Sequence, residues 1–253
     1  MSRLAGTARS AFRILLSQPG RQFSERGSSE SYKNDRMSKS ALAASLDALQ
    51  THLDPLLRQA GFRKHGRTYN RTTSDGLTHV VGFQMASFDP PGTTHIPGLR
   101  ENLYGRFTVN FGIYVPEVAR NHGGGEAKAV VHDYNCCIRT RLGRTANKEF
   151  WWKISTSGAL VSELLERLQS EALPFFRRFE NRDQILGEFR TTADNTELMA
   201  VPRIVCAIIL LNRGDRETAR SLLAAQAREH TRNPGHPAYV IGLAKRLGIE
   251  ITS

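Results

Sequence analysis

Cysteine is scarce in this chain: Cys136, Cys137 and Cys206 are the only three among 253 residues. Neighbouring cysteines cannot easily bridge each other, and an odd, sparse count builds no disulfide framework. The expected setting is therefore reducing and cytoplasmic. Long apolar runs are lacking as well. Ile204 to Leu211, the longest candidate, falls far short of the roughly 18 residues that a membrane span needs. Missing too are the signatures that name a chemistry: no GxxxxGK[ST], no GxGxxG between a strand and a helix, no HExxH and no CxxC. "HGGGE" at His122 to Glu126 has the glycines of an esterase oxyanion hole. The chain has no GxSxG elbow to go with it, so the stretch reads as a flexible hairpin tip. No cofactor and no metal site are expected, and no catalytic residue is identified.

What the chain has is positive charge, +11 overall and unevenly spread. Residues 1–36 carry seven basic side chains against three acidic ones, and residues 55–155 carry 14 against seven. From residue 156 onward the two signs nearly balance, 13 against 12. A basic front half favours contact with anions, which bears on association before it bears on function. The first 36 residues have no acid before Glu25, are rich in Arg and Ser, and hold one apolar patch at Phe12 to Leu16. Transit peptides have that composition, and so does translated upstream DNA. Met37 opens directly into an amphipathic pattern, so it is the expected functional start, with residues 1–36 a disordered extension.

Leu42, Leu46, Leu49, Leu53, Leu56 and Leu57 recur at helical spacing. Pro55 sits inside the pattern and predicts one bent helix or two short ones. Gly61 then supplies a helix stop. Arg63 to Arg67 in "AGFRKHGRTYNR" read as a basic turn. They leave a helix C-terminus, where the dipole favours cations, whereas a phosphate loop presents amides at a helix start. Strands follow at Thr68 to Thr73 and Leu77 to Met85 around "SDG", and "RFTVNFGIYV" gives the cleanest alternation in the chain. Tyr134 to Leu142 and Phe150 to Ile154 alternate as well, for an antiparallel meander of about five strands. From Ser157 the period turns helical, with Pro174 at the first turn of a second helix. Three further helices end the chain, two of them a hairpin of the tetratricopeptide kind. One such unit is no array, so it reads as a cap. The expected fold is α+β: an N-terminal helix, the sheet, and a C-terminal helical region. The expected division is an α+β domain over 37–190 and a helical cap over 191–253.

The order of these pieces resembles a family. A starting helix, then "LDPLLRQAGFRKHGRTYNR", "VVGFQMASF", "RFTVNFGIYV" and the tryptophan-bearing "EFWWKIS" resemble the bacterial domain of unknown function 4304 over roughly Ser38 to Arg190. The resemblance implies a fold and supports the Met37 start. It carries no activity and no catalytic residues.

Several residues invite a chemical reading. In "HDYNCC", adjacent cysteines on a strand would point to opposite faces and cannot share a zinc ion. Cys136 reads as core and Cys137 as a small filler on the wetter face. His79 falls on the apolar face of its strand and reads as a satisfied core histidine. The collective candidate is the wetter face of the meander, where Gln84, Asn110, Tyr114, Arg139, Arg141, Trp151 and Lys153 gather. Amides, arginines and an aromatic on one sheet face suit a phosphate, a carboxylate or an acidic peptide. No paired carboxylates accompany them for acid/base hydrolysis. The sequence thus predicts a non-catalytic interaction module for a protein partner or a small anionic ligand. A nucleic-acid-binding accessory protein, with Trp151 stacking on a base, is the alternative.

Overall fold

The computed structural model describes residues 29–86, 103–122, 129–145, 150–190, 198–228 and 235–251. Two compact units divide the chain, Met1–Lys39 and Ser40–Ser253, and the second holds the whole sheet. Helix α1 (Ser29–Gln59) runs unbroken through Pro55. Leu46, Leu49, Leu53 and Leu57 line its buried face and are fully enclosed, as their spacing requires. Gly61, at φ +87°, ends the helix turn where a side chain would be strained.

Among the described residues six antiparallel strands come next: β1 (Arg63–His65), β2 (Thr68–Thr72), β3 (Thr78–Met85), β4 (Arg106–Tyr114), β5 (Ile138–Arg141) and β6 (Trp152–Lys153). They are ordered β1-β2-β3-β4-β5, and β6 also pairs with β4. Strand β5 takes Asn110 to Ile113 of β4, while β6 takes Arg106 and Phe107, so the two share one edge. Two expectations are corrected. Arg63 to His65 form a strand, joined to β2 through Gly66 and Arg67, and φ at Gly66 is +61°. Basic side chains leave a strand's backbone pairing intact, and the two-residue turn closes it. Second, Asp133–Asn135 is a short 3₁₀ turn rather than strand, so β5 starts only at Ile138.

Helix α2 (Pro116–Asn121) follows β4 directly, with the proline at its start; nothing in the alternation of "RFTVNFGIYV" announces it. The helical half comprises α3 (Gly158–Arg167), α4 (Leu173–Arg178), α5 (Arg182–Arg190), α6 (Pro202–Asn212), α7 (Arg216–Arg228) and α8 (His236–Arg246). Between α3 and α4, Leu168–Ala172 widen into a π-turn, and Pro174 opens α4 as its position predicts. The helix expected over Pro174 to Arg190 is broken at Phe179 to Asn181. One continuous core joins Phe107, Val109, Phe111 and Ile113 of β4 to the leucines of α1, the phenylalanines Phe175, Phe176 and Phe179, and Ile204, Leu223 and Leu243 of the last helices. Helices thus cover one face of the sheet. The other, outer face is where polar chemistry collects.

Candidate functional site on the outer sheet face

In an antiparallel sheet, residues paired across strands share a face, so the strand register gives the outer face row by row. Thr72, Thr78 and Tyr114 form the first row. Arg63, Asn70, Val80, Gly112 and Arg139 form the second. His65, Thr68, Gly82, Asn110 and Arg141 form the third. Gln84 pairs with Thr108 beyond them, and Lys153 with Arg106. Six of the seven residues expected together therefore share the face, and Trp151 adjoins it through its ring contact with Arg141.

A strap of chain, residues 131–137, crosses the middle of this face. The Asn70 side-chain amide donates to the Val131 carbonyl at 2.8 Å and accepts from the Val131 N–H at 3.0 Å. His132 Nδ1 lies 3.1 Å from the Thr68 hydroxyl. Beneath the strap the sheet has no side chains at two places. A Cβ on Gly82 would stand 3.2 Å from Asp133 Oδ1, and one on Gly112 would stand 2.8 Å from the Cys136 Cβ. These two glycines let the strap lie flat. With Val80, Tyr114, Ala119, Val131 and Cys136 it makes a small second core on the outer side. Cys136 accordingly packs into this outer core, while Cys137 packs against the main core, the reverse of the faces expected. The 3₁₀ turn shifts the phase of the chain before β5. Burial pushes the Cys136 thiol up and the Cys137 thiol up to about 12, so both stay protonated and neither is poised as a nucleophile.

The strap divides the face into two regions of different character. On one side the polar groups satisfy one another. Asn110 Nδ2 donates to Gln84 Oε1 at 2.8 Å, and Arg141 Nε donates to Asn110 Oδ1 at 2.9 Å. The Arg141 guanidinium also lies 5.4 Å from the centre of the Trp151 ring, a cation–π distance. Arg106 donates to the Trp151 carbonyl at 3.3 Å. Arg139 is half-buried and Lys153 exposed.

On the other side a groove of about 660 Å³ opens, lined by Gly61, Arg63, His65, Asn70, Arg71, Thr72, Thr78, Tyr114, Ala129 and Val131. Arg63, His65 and Thr72 are exposed on its rim, while Tyr114 and Val131 are buried in its floor. Among the described residues no carboxylate lines it. Among the described residues the side chains of Arg63, His65, Thr72 and Thr78 have no hydrogen-bond or ion-pair partner. Of the seven expected residues only Tyr114 belongs to the groove. Arg63 and His65 come from the stretch that reads as a basic turn in sequence, and the β1 hairpin is what brings them to the sheet face.

Arg71 forms the inner wall. It donates to Glu180 Oε2 at 2.6 Å and stands 2.7 Å from His79 Nδ1. His79 Nε2 donates to the Phe179 carbonyl at 2.9 Å, and its ring stacks on Phe176. That hydrogen bond places the proton on Nε2 and leaves Nδ1 to accept from Arg71. Burial holds His79 neutral by lowering its pKa to about 4, against the opposing hydrogen bond to Phe179; the neighbouring Arg71 cation adds to the lowering. His79 is thus a satisfied core histidine, as its strand position predicts.

The hairpin that carries Thr72 and Thr78 is anchored from behind. Arg182 makes two hydrogen bonds to the buried Glu117 carboxylate, at 2.6 and 2.8 Å, and bonds both the carbonyl and the carboxylate of Asp75 in the hairpin loop. Burial alone would raise the pKa of Glu117; the Arg182 hydrogen bonds outweigh it and hold the carboxyl below its usual range. Among the described residues no three His, Cys, Asp or Glu side chains gather in a way that could hold a metal ion, and no helix is long and apolar enough to cross a membrane.

Residues 98–178 match the family model described as Domain of unknown function (DUF4304). That segment holds β4 to α4 and lies inside the span over which the sequence resembles the family. No curated protein and no solved structure matches the chain.

Proposed function

We propose that this protein is a non-catalytic binding module that takes an anionic partner on its outer sheet face, in the groove beside the strap. One observation carries the reading: Arg63 and His65 stand on the rim of a cavity of about 660 Å³ with no carboxylate in its lining among the described residues. A groove of this volume suits a small molecule. Arg63, a cation with no ion-pair partner among the described residues, sets a positive potential there that would draw an anion in. Several other arginines are occupied by acids, as in the Arg167 pair with Glu163 and Glu171 and the Arg213 pair with Asp183. The three free thiols suit a reducing, cytoplasmic setting.

A second reading is that the opposite region serves a nucleic acid, and the Arg141–Trp151 stack beside the exposed Arg106 and Lys153 favours it. Salt separates the two. Retention on heparin and binding of a short single-stranded oligonucleotide should weaken steeply with salt if many phosphates are neutralised. The groove reading predicts a shallow slope, with saturable uptake of inorganic pyrophosphate that Arg63→Gln weakens. Tight oligonucleotide binding that survives Arg63→Gln and is lost in Lys153→Gln would replace the groove reading with the second one.

A further inference from the structure

The groove has a chemistry beyond its charge, and we infer that its ligand is a phosphate monoester of a small polyol, of the size of a sugar phosphate, with the phosphate at Arg63 and His65 and the hydroxyl-bearing body along Thr72 and Thr78. This inference rests on the groove being the anion site.

The two ends of the cavity differ. Arg63 and His65 are two residues apart on β1 and share its outer side through their pairing with Asn70 and Thr68. Such residues stand about 7 Å apart, close enough for both side chains to reach one oxyanion. A carboxylate is satisfied by a single guanidinium fork, whereas a phosphate monoester has three terminal oxygens to share between two donors. The cavity's other arginine, Arg71, is taken up by Glu180, and the open groups at the other end are hydroxyls. Thr72 and Thr78 are a cross-strand pair, with Tyr114 next to Thr78 on β4. A threonine hydroxyl both donates and accepts, and so does a sugar hydroxyl. Neither threonine hydroxyl has a hydrogen-bond partner among the described residues. Ala129 and Val131 add an apolar wall, with Val131 fixed by the Asn70 amide. A cationic end, a hydroxyl end and a volume of about 660 Å³ leave room for more than a bare phosphate.

The test is calorimetric titration of the full chain with ribose 5-phosphate, inorganic phosphate, ribose and citrate at matched ionic strength. Ribose 5-phosphate is expected to bind at least 10-fold more tightly than inorganic phosphate, and ribose alone not measurably. Thr72→Val with Thr78→Val is expected to bring ribose 5-phosphate down to the level of inorganic phosphate, leaving phosphate binding itself in place. Arg63→Gln should weaken both phosphates together. Equal binding of ribose 5-phosphate and inorganic phosphate would overturn the polyol assignment while leaving the anion groove intact. Preference for citrate would overturn the phosphate assignment. Absence of binding by every anion would remove the groove reading itself. Because Thr72 is exposed and Thr78 half-buried, the double variant is expected to fold, and an unchanged circular-dichroism melt checks it.

Discussion

The two regions of the outer sheet face are built from similar side chains and differ in what those side chains have left to offer. Beyond one edge of the strap, Gln84, Asn110, Arg141 and Trp151 bond or stack in sequence. Beyond the other, Arg63, His65, Thr72 and Thr78 face an open cavity and hold none of one another. A polar group buried among partners specifies the fold, because leaving it unpaired costs more than the bond gains. A polar group on a cavity rim is available to a ligand. Residue type alone therefore does not mark a site; the state of satisfaction does.

Four experiments sharpen that contrast. The largest effect belongs to the anchor behind the groove. Arg182→Ala would leave Glu117, 3% exposed, as a buried charge without its partner, a loss expected at about 3–5 kcal/mol. A urea melt checks this, and a loss below about 1 kcal/mol would show that the brace does not hold the hairpin. Next comes the inner wall. The folded-state pKa of His79 is depressed to about 4, so the unfolded chain binds the extra proton first on acidification. Stability is full above the ordinary histidine value near 6.5 and falls as pH drops towards 4, by up to about 3 kcal/mol. Glu117 adds to the loss at lower pH, since its depressed pKa makes the unfolded state the stronger proton binder there too. Thermal melts across this range read the slope, and His79→Gln should flatten it between pH 6.5 and 4.

The satisfied region comes third. Asn110→Ala removes a buried side chain that bonds exposed Gln84 and half-buried Arg141, expected to cost about 0.5–1.5 kcal/mol per hydrogen bond, with pyrophosphate binding unchanged. The contrast between the regions breaks down if binding falls in step with stability. Smallest in stability is Arg63→Gln, an exposed cation without a partner among the described residues, expected to shift the melt by less than about 0.5 kcal/mol while weakening anion binding about 10-fold. A variant that unfolds instead would show that Arg63 is structural.

Much of the fold is legible in the sequence because two periods carry it. Phe107, Val109, Phe111, Ile113 and Val115 alternate and all face the core; Leu46, Leu49, Leu53 and Leu57 keep a helical spacing and do the same. The shared face of Gln84, Asn110, Arg139 and Arg141 follows from that parity alone. Strand β1 is hidden because Arg-Lys-His has no apolar alternation, and only its pairing with β2 defines it. The strap is hidden because the Asn70–Val131 clamp joins residues 61 apart in the chain. One local signal points to it: Gly82 and Gly112 interrupt the polar series of the outer face, and both are places where another backbone passes close. Without the strap, the face reads as one site. With it, the face splits into a structural half and an open half, and the open half draws Arg63 and His65 from a stretch that looks like a helix end.

Amide chemical-shift mapping of the full chain titrated with inorganic pyrophosphate tests this division most directly. Saturable shifts confined to the backbone around Arg63, His65, Thr72 and Thr78 are predicted, with the amides of Gln84, Arg141 and Lys153 still. Shifts centred on Arg106, Trp151 and Lys153, or a titration with no saturable shifts at all, would contradict it.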